Sequence, residues 1–230
     1  MKRQTGKAVI LLSGGLDSAT AAAVAKNDGL DLYAMTFSYG QRHSIEIGCA
    51  RKIALFFRAA DHVFIDIPSG VFRSALLKNS PAGVPKNRSL DEASIPDTYV
   101  PARNIIFLSY ALAYGESIGA RDIYIGANAV DYSGYPDCRP SFFESFTAMA
   151  NAGTRAGIEG SPFIIHTPLI SLKKSEIIRL GMSLGVDYSI THSCYDPDAS
   201  GVSCGTCDSC RLRKMGFAEA GFDDPIPYRL

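Results

Sequence analysis

Residues 8–20 read AVILLSGGLDSAT. An apolar run stops at Gly14 and Gly15; Asp17 and Ser18 follow, and then small residues of helical character. Strand, glycine turn and helix in direct succession is how parallel α/β sheets receive phosphate, because the free N–H groups of a helix N-terminus sit at the carboxyl end of the strand. Two glycines let the backbone approach an anion with no Cβ in the way, and Ser13 and Ser18 add hydroxyl donors. Asp17 does not bind phosphate directly but can hold a metal ion or orient the loop. The candidate nucleotide loop therefore comprises Leu12, Ser13, Gly14, Gly15, Leu16, Asp17 and Ser18. The lysine of a Walker loop and the spacing of a dinucleotide fingerprint are both absent. Two glycines alone would favour a simple capped turn; the full S-G-G-x-D-S string after the first strand favours phosphate.

Working outward, Ala8–Leu12 reads as a buried strand and Ser18–Lys26 as the helix after it. DLYAMTFSY from Asp31 gives a second strand, Ile45–Phe57 a helix, and HVFIDI from His62 a third strand. This β-α-β-α-β rhythm predicts an α/β fold, a parallel sheet with helices on both faces in the Rossmann-like manner. Residues 79–101 hold four prolines and little periodicity and read as a long loop, either a candidate lid or binding segment or a simply disordered stretch. Helices are expected over Asn104–Ser117, Ser141–Ala156 and Lys173–Leu184, with strands at DIYIGA from Asp122 and FIIHTPL from Phe163. The economical organisation is one domain over residues 1–230, with residues 191–230 a metal-bearing C-terminal segment.

The composition is that of a globular protein: 230 residues, 47% hydrophobic and 20% charged, with a formal net charge of zero. That balance advertises no broad grip on nucleic acid, and no direct nucleic-acid partner is expected. No apolar run has the length of a bilayer span, so a cytoplasmic protein without a membrane partner is expected.

Six cysteines are unevenly placed. Cys49 and Cys138 stand alone; CYDPDASGVSCGTCDSC puts nine residues between Cys194 and Cys204, then two between each later pair, ending at Cys210. Cys194, Cys204, Cys207 and Cys210 suit a tetrahedral zinc ion, with Gly and Ser supplying the turns. An iron–sulfur cluster and a redox pair are the alternatives; a closed four-thiolate structural zinc site is preferred. His192 is a weak substitute ligand. Arg211, Arg213 and Lys214 are placed to offset the charge of the thiolates.

Two middle segments carry further candidates. TYVPARN from Thr98 brings Arg103 to a helix start, where it can contact phosphate or carboxylate, or serve as a surface ion-pair partner. GANAVDYSGYPDCRP from Gly126 follows a strand and packs Asp131, Ser133, Tyr135, Asp137 and Arg139 into one loop, a density of polar groups suited to a heterocycle. Cys138 reads first as a packed thiol. Lys174, in SLKKSEII, begins a helix and can reach an anionic phosphate, or simply stand in solvent as most lysines there do.

SGGLDS resembles the pyrophosphate loop of the N-type ATP pyrophosphatases, which have an adenine nucleotide alpha hydrolase-like fold. Lys174 with Glu176 matches a lysine of that superfamily two residues before a glutamate. TFSYGQRHSIEI from Thr36, YVPARN, DYSGYPDCR and the four-cysteine tail are more specific, and together resemble the 7-cyano-7-deazaguanine synthase (QueC) family over nearly the whole chain. One departure is Ala102, where that family usually has glycine; it is expected to tighten the turn and to remove no functional group.

The resemblance implies a ligase of queuosine biosynthesis whose partners are ATP, ammonia and 7-carboxy-7-deazaguanine. The substrate carboxylate attacks the α-phosphate of ATP, ammonia displaces AMP to give the amide, and a second ATP activates the amide oxygen so that loss of AMP leaves the nitrile. Asp17, Lys174 and Arg103 would be the catalytic residues, with Mg²⁺ accompanying ATP, one structural Zn²⁺ on the cysteines, and Asp131 and Asp137 reading the guanine-like face. A homodimer is implied as well. Two rivals stand beside this reading. A tRNA thiolase would use Cys138 as a persulfide carrier, and a zinc-tethered nucleotide-binding module would have no catalysis.

Overall fold

The computed structural model describes residues 6–42, 44–78, 80–81, 83–87, 95–130 and 134–229. In chain order it forms β1 (Lys7–Leu11), α1 (Leu16–Asn27), β2 (Asp31–Ser38), α2 (Ile45–Phe56), β3 (Asp61–Asp66), α3 (Arg103–Ile118), β4 (Asp122–Ile125), α4 (Pro140–Gly153), α5 (Arg155–Ile158), β5 (Ile164–His166), α6 (Lys174–Ser183) and α7 (Asp208–Ala220). The five strands are all parallel, in the order β3-β2-β1-β4-β5. The order reverses between β1 and β4, and a sheet of this kind binds ligands in the crevice beyond the strand ends at that point.

β1 lies at the centre and is buried on both faces, so it reads as continuous apolar sequence rather than an alternating one. Ala8, Ile10 and Leu12 pack into one core with Leu32, Ala34 and the helices α1, α2, α6 and α7. Val9 and Leu11 face the other core, with Met35, Phe37, Ile123 and the helices α3 and α4. Helices therefore cover both faces, as the rhythm of the sequence predicts. In α1, Ala19, Ala21, Ala22, Ala23 and Ala25 are all buried; their small side chains let the helix lie close to β1 and β4 and bring its N-terminus to the crevice.

Three elements differ from expectation. The helix expected over Ser141–Ala156 breaks at Thr154, whose backbone is extended (φ −117°, ψ 151°). Its hydroxyl accepts the Gly157 N–H at 3.2 Å, starting α5, and donates to the Ala150 carbonyl at 2.8 Å. FIIHTPL forms a strand only over Ile164–His166. The tail, read for its thiols alone, contains the thirteen-residue helix α7, which buries Cys210, Arg213 and Phe217.

Ala102 precedes α3 with φ 55° and ψ 20°, in the left-handed region. A Cβ there costs about 1–2 kcal/mol relative to glycine. Ala102→Gly is therefore expected to stabilise the protein by about 1 kcal/mol, after allowance for the greater freedom of glycine in the unfolded chain. Chemical denaturation of the two proteins measures it, and an unchanged midpoint would contradict the strain.

Candidate active site

A cavity of about 220 Å³ opens at the carboxyl ends of β1, β2 and β4. Its walls include Ser13 and Gly15–Ser18, the segment after β2 (Tyr39, Gln41, Arg42 and Glu46), the start of α3 (Arg103 and Asn104), and Tyr135 with Cys138.

The glycine loop is held open by its own hydroxyls. Ser13 Oγ donates to Ser18 Oγ at 3.1 Å, and Ser18 Oγ donates to the Gly15 carbonyl at 3.0 Å. Gly14 has φ +90°, and a Cβ on it would lie 2.1 Å from the Glu46 carbonyl oxygen. Glycine is needed there both for the backbone angle and for the approach of α2. The Gly14 carbonyl accepts the His192 N–H at 2.9 Å, which ties the loop to the C-terminal segment. No side chain caps α1 at Gly15, so its first turn keeps the anion-receiving character of a free helix N-terminus. Gly126, at the end of β4, backs the other side: a Cβ there would meet the Asp17 carbonyl carbon at 2.7 Å.

Lys174 and Asp17 meet directly. Lys174 Nζ donates to Asp17 Oδ1 at 2.7 Å and to Oδ2 at 2.9 Å, although the residues lie 157 positions apart. Glu176 places the lysine: its carboxylate accepts the Lys173 N–H at 2.7 Å and caps α6. Gly216 of α7 makes room for the lysine stem, since a Cβ there would sit 2.4 Å from Lys174 Cγ. Asn128 is buried, and its amide donates to the Leu169 and Leu172 carbonyls at 2.8 and 2.6 Å, fixing the loop that leads into α6.

Arg103, at the start of α3, lines the same cavity as the loop. Burial works against its charge, but Tyr39, Tyr135, Asp137 and Cys138 outweigh that and hold the guanidinium protonated. Burial in turn pushes the Tyr39 phenol up, while Arg103 pulls it back. Asp137 is buried behind the wall: its carboxylate accepts the backbone N–H of Asn104 at 3.0 Å and so caps α3 from a distance. Tyr135 lines the cavity, with its hydroxyl 2.8 Å from Thr98 Oγ1. Arg139 is exposed beyond the lining residues. Asp131 and Ser133 lie outside the described residues. Cys138 is packed as expected; burial and then Asp137 push its thiol up to about 12.

Glu46, Asn128 and Gly126 were not among the expected site residues. For Gly126 the signal was available as a glycine ending a strand. For Glu46 and Asn128 the tertiary placement alone reveals them.

The four C-terminal cysteines converge. Cys194, Cys204, Cys207 and Cys210 are buried, and their sulfurs all lie within 4.8 Å of one another. A tetrahedral ion with metal–sulfur bonds of about 2.3 Å requires sulfurs roughly 3.8 Å apart, so the cluster can hold one such metal ion. Backbone N–H groups of Cys204 and Asp196 reach Cys194 Sγ at 3.2 and 3.3 Å, and Cys207 N–H reaches Cys204 Sγ at 3.3 Å, a donor shell suited to thiolates. Hydrogen bonding with Cys194 and Cys210 holds the Cys207 thiol low.

The expected basic neighbours do not all serve this cluster. Arg213 turns the other way, bonding Asp224 at 2.9 Å and Thr191 at 2.7 Å, and Lys214 lies over the Tyr228 ring. Lys86 interacts with Cys204 and pairs with Asp196 at 2.7 Å. Asn87 N–H also bonds the Thr206 carbonyl at 3.1 Å, so the described part of the long 79–101 loop is fastened to the metal segment. His192 is outside the cluster; it lines the cavity instead.

A parallel five-stranded sheet with a glycine loop at its switch point gives the chain an adenine nucleotide alpha hydrolase-like fold. The fold is similar to that of NMN synthetase from Francisella tularensis, with a TM-score of 0.50 and 19% identity over 96% of this chain and 79% of that one. Residues 7–221 match the family described as queuosine biosynthesis protein QueC. Relatives include 7-cyano-7-deazaguanine synthase of Kineococcus radiotolerans, 56% identical over 96% of this chain and 97% of that one. Another, of the same name, from Magnetococcus marinus, is 57% identical over 96% of each. The chain belongs to the QueC family.

Proposed function

We propose that the protein is an ATP-dependent ligase that converts 7-carboxy-7-deazaguanine and ammonia to 7-cyano-7-deazaguanine through two adenylated intermediates. The observation that carries the reading is the pairing, across one cavity, of the Ser13–Ser18 loop with the Arg103 guanidinium, in a chain of this family. The loop suits the β- and γ-phosphates, and Arg103 suits the substrate carboxylate or the α-phosphate. The carboxylate attacks the α-phosphate and pyrophosphate departs along the loop, where negative charge grows as the bond breaks. Lys174, held by Asp17 beside the loop, meets that charge. Asp17, which lines the cavity next to the loop and is paired with Lys174, would help to hold the Mg²⁺ that accompanies ATP, and that ion would offset charge on the departing pyrophosphate. Tyr135 offers a wall for the heterocycle. Asp137 acts by positioning the start of α3 and hence Arg103. Asp131 and Ser133 are proposed as substrate contacts on the polar density of their loop sequence and on the resemblance, and Arg139 as a contact at the outer edge.

The metal on the four cysteines is zinc in this reading, since a closed set of four thiolates leaves no position for substrate. The whole chain acts as one ATP-pyrophosphatase domain, with residues 191–230 its zinc segment. Exposed Leu55 and Phe56 at the end of α2 and Phe64 on the edge strand β3 support a homodimer. Among the described residues no helix is long and apolar enough to cross a membrane, and a cytoplasmic enzyme acting without direct nucleic-acid contact fits the neutral charge. A thiolase role is disfavoured by the raised Cys138 thiol, because a persulfide carrier needs a readily formed thiolate.

Incubation with ATP, Mg²⁺, ammonium and 7-carboxy-7-deazaguanine, followed by mass spectrometry, tests the reading. Nitrile and AMP are expected. Folded, zinc-loaded protein that consumes neither ATP nor the acid would overturn it.

A further inference from the structure

The cavity presents two carboxylates among the described residues, Asp17 and Glu46. Asp17 is committed to Lys174 through both oxygens. Glu46 stands in the first turn of α2, with its backbone carbonyl against Gly14 and its side chain in the wall near Arg103 and Tyr39. No hydrogen bond to its carboxylate is found among the described residues. Among the described residues such an acid has no lysine bonded to it, as Asp17 has in Lys174, and an uncompensated carboxylate beside the loop repels ATP. It suits a small cation instead, and the proposed reaction has one: ammonium, which must lose a proton before its nitrogen can attack.

We propose that Glu46 is the general base of the amination step, receiving ammonium in the cavity and removing its proton; this rests on the reaction proposed above. The ammonium proton passes to the Glu46 carboxylate, and the freed lone pair attacks the carbonyl carbon of the acyl adenylate. As the C–N bond forms, the bond from that carbon to the AMP oxygen breaks, and its electron pair leaves with AMP. The nitrogen sheds one further proton to the departing phosphate, leaving the neutral amide, and Glu46 returns its own proton to solvent.

The protonation behaviour of the site is suited to this. Burial pushes the Glu46 carboxyl up to about 7, with Arg103 pulling against the rise, and a base is most effective when it titrates near the working pH. The other titratable groups around it are Tyr39, Cys49 on its own helix, Arg42 on the same segment, and Asp17 and His192, which line the same cavity. Because the folded state resists ionising Glu46, the ligand-free protein loses stability as pH rises from the ordinary glutamate value of 4.5 through about 7. Glu46→Gln is thus expected to fold at least as stably as the parent above neutrality.

The test compares parent and Glu46→Gln in two assays. Pyrophosphate exchange into ATP, with the acid but without ammonium, reads adenylation alone; formation of amide and nitrile reads amination. Exchange is expected to stay within about threefold, while product formation near pH 7 falls by roughly 100-fold or more. The deficit should narrow as the pH is raised toward about 9 at constant total ammonium, because free ammonia then replaces the missing base. Equal product formation by the two proteins would overturn the proposal. An equal loss in both assays would overturn it too, assigning Glu46 to adenylation. If the parent itself shows neither exchange nor product, the substrate reading fails and takes this proposal with it.

Discussion

Replacing Lys174 with alanine is expected to lower turnover by about 100- to 1000-fold, the cost of removing one preorganised donor from a developing anion. The lysine side chain is 8% exposed and that of its partner Asp17 is 22% exposed. The variant leaves a carboxylate without its cation, in the loop meant for phosphate. Two effects then add: the pyrophosphate loses a positive charge, and the uncompensated Asp17 repels it. A second substitution separates them. Asp17→Asn in the Lys174→Ala background should recover part of the ATP affinity by removing the repulsion, while turnover stays low. Asp17 retains contact with the cavity, so the stability cost of the single variant should fall at or below the usual range for breaking a buried pair, about 3 kcal/mol. Lys174→Arg is not expected to rescue it, because a longer, planar guanidinium does not reproduce the compact ammonium held at 2.7 and 2.9 Å from the two Asp17 oxygens. Pyrophosphate release under saturating ATP and denaturation curves measure both effects; near-normal turnover in Lys174→Ala would remove the lysine from the chemistry.

Cys207→Ser is expected to destabilise the protein by more than about 4 kcal/mol, the class of loss that accompanies removal of a bound metal. The four cysteines belong to the core on the α3–α4 face of the sheet, while Phe217, ten residues further along α7, belongs to the core on the other face. The metal segment therefore joins both. It also reaches the site twice, through His192 N–H on the Gly14 carbonyl and through Gly216 against Lys174. Chelation of the metal should in consequence lower both thermal stability and turnover. Metal analysis of the purified protein should return one zinc per chain. Full activity in a metal-free, folded protein would show the tail to be dispensable.

The half of the fold that carries the phosphate loop was legible in the sequence because its signals are local. Apolar runs ending in glycine, helical spacing and S-G-G-x-D-S all lie within a few residues of one another. The four cysteines were legible for the same reason, since thiolate spacing is itself a geometric statement. Helix α7 was harder to see. Its polar residues Arg211, Arg213 and Lys214 suggested counter-charges for the metal, yet Cys210, Arg213 and Phe217 fall at helical spacing and Gly221 ends the helix with φ +81°. Arg213 misled because it is buried by pairing with Asp224, a contact that composition does not report. Asp137 was read as a recognition group, but the structure directs its carboxylate to the backbone of a helix 33 residues earlier. Glu46 lay inside a quoted motif without a role. Only the approach of α2 to Gly14 places it in the cavity.

Both ATP molecules are proposed to activate oxygens that begin on the substrate carboxylate, and isotope tracing tests that claim most directly. The acid labelled with ¹⁸O at both carboxyl oxygens is turned over with ATP and ammonium in ordinary water, and the AMP is analysed by mass spectrometry. Unlabelled pyrophosphate is expected, together with AMP that carries one ¹⁸O per molecule, two such AMP molecules for each nitrile. Unlabelled AMP, or ADP in its place, would contradict adenylation of the substrate and with it the role assigned to the Ser13–Ser18 loop.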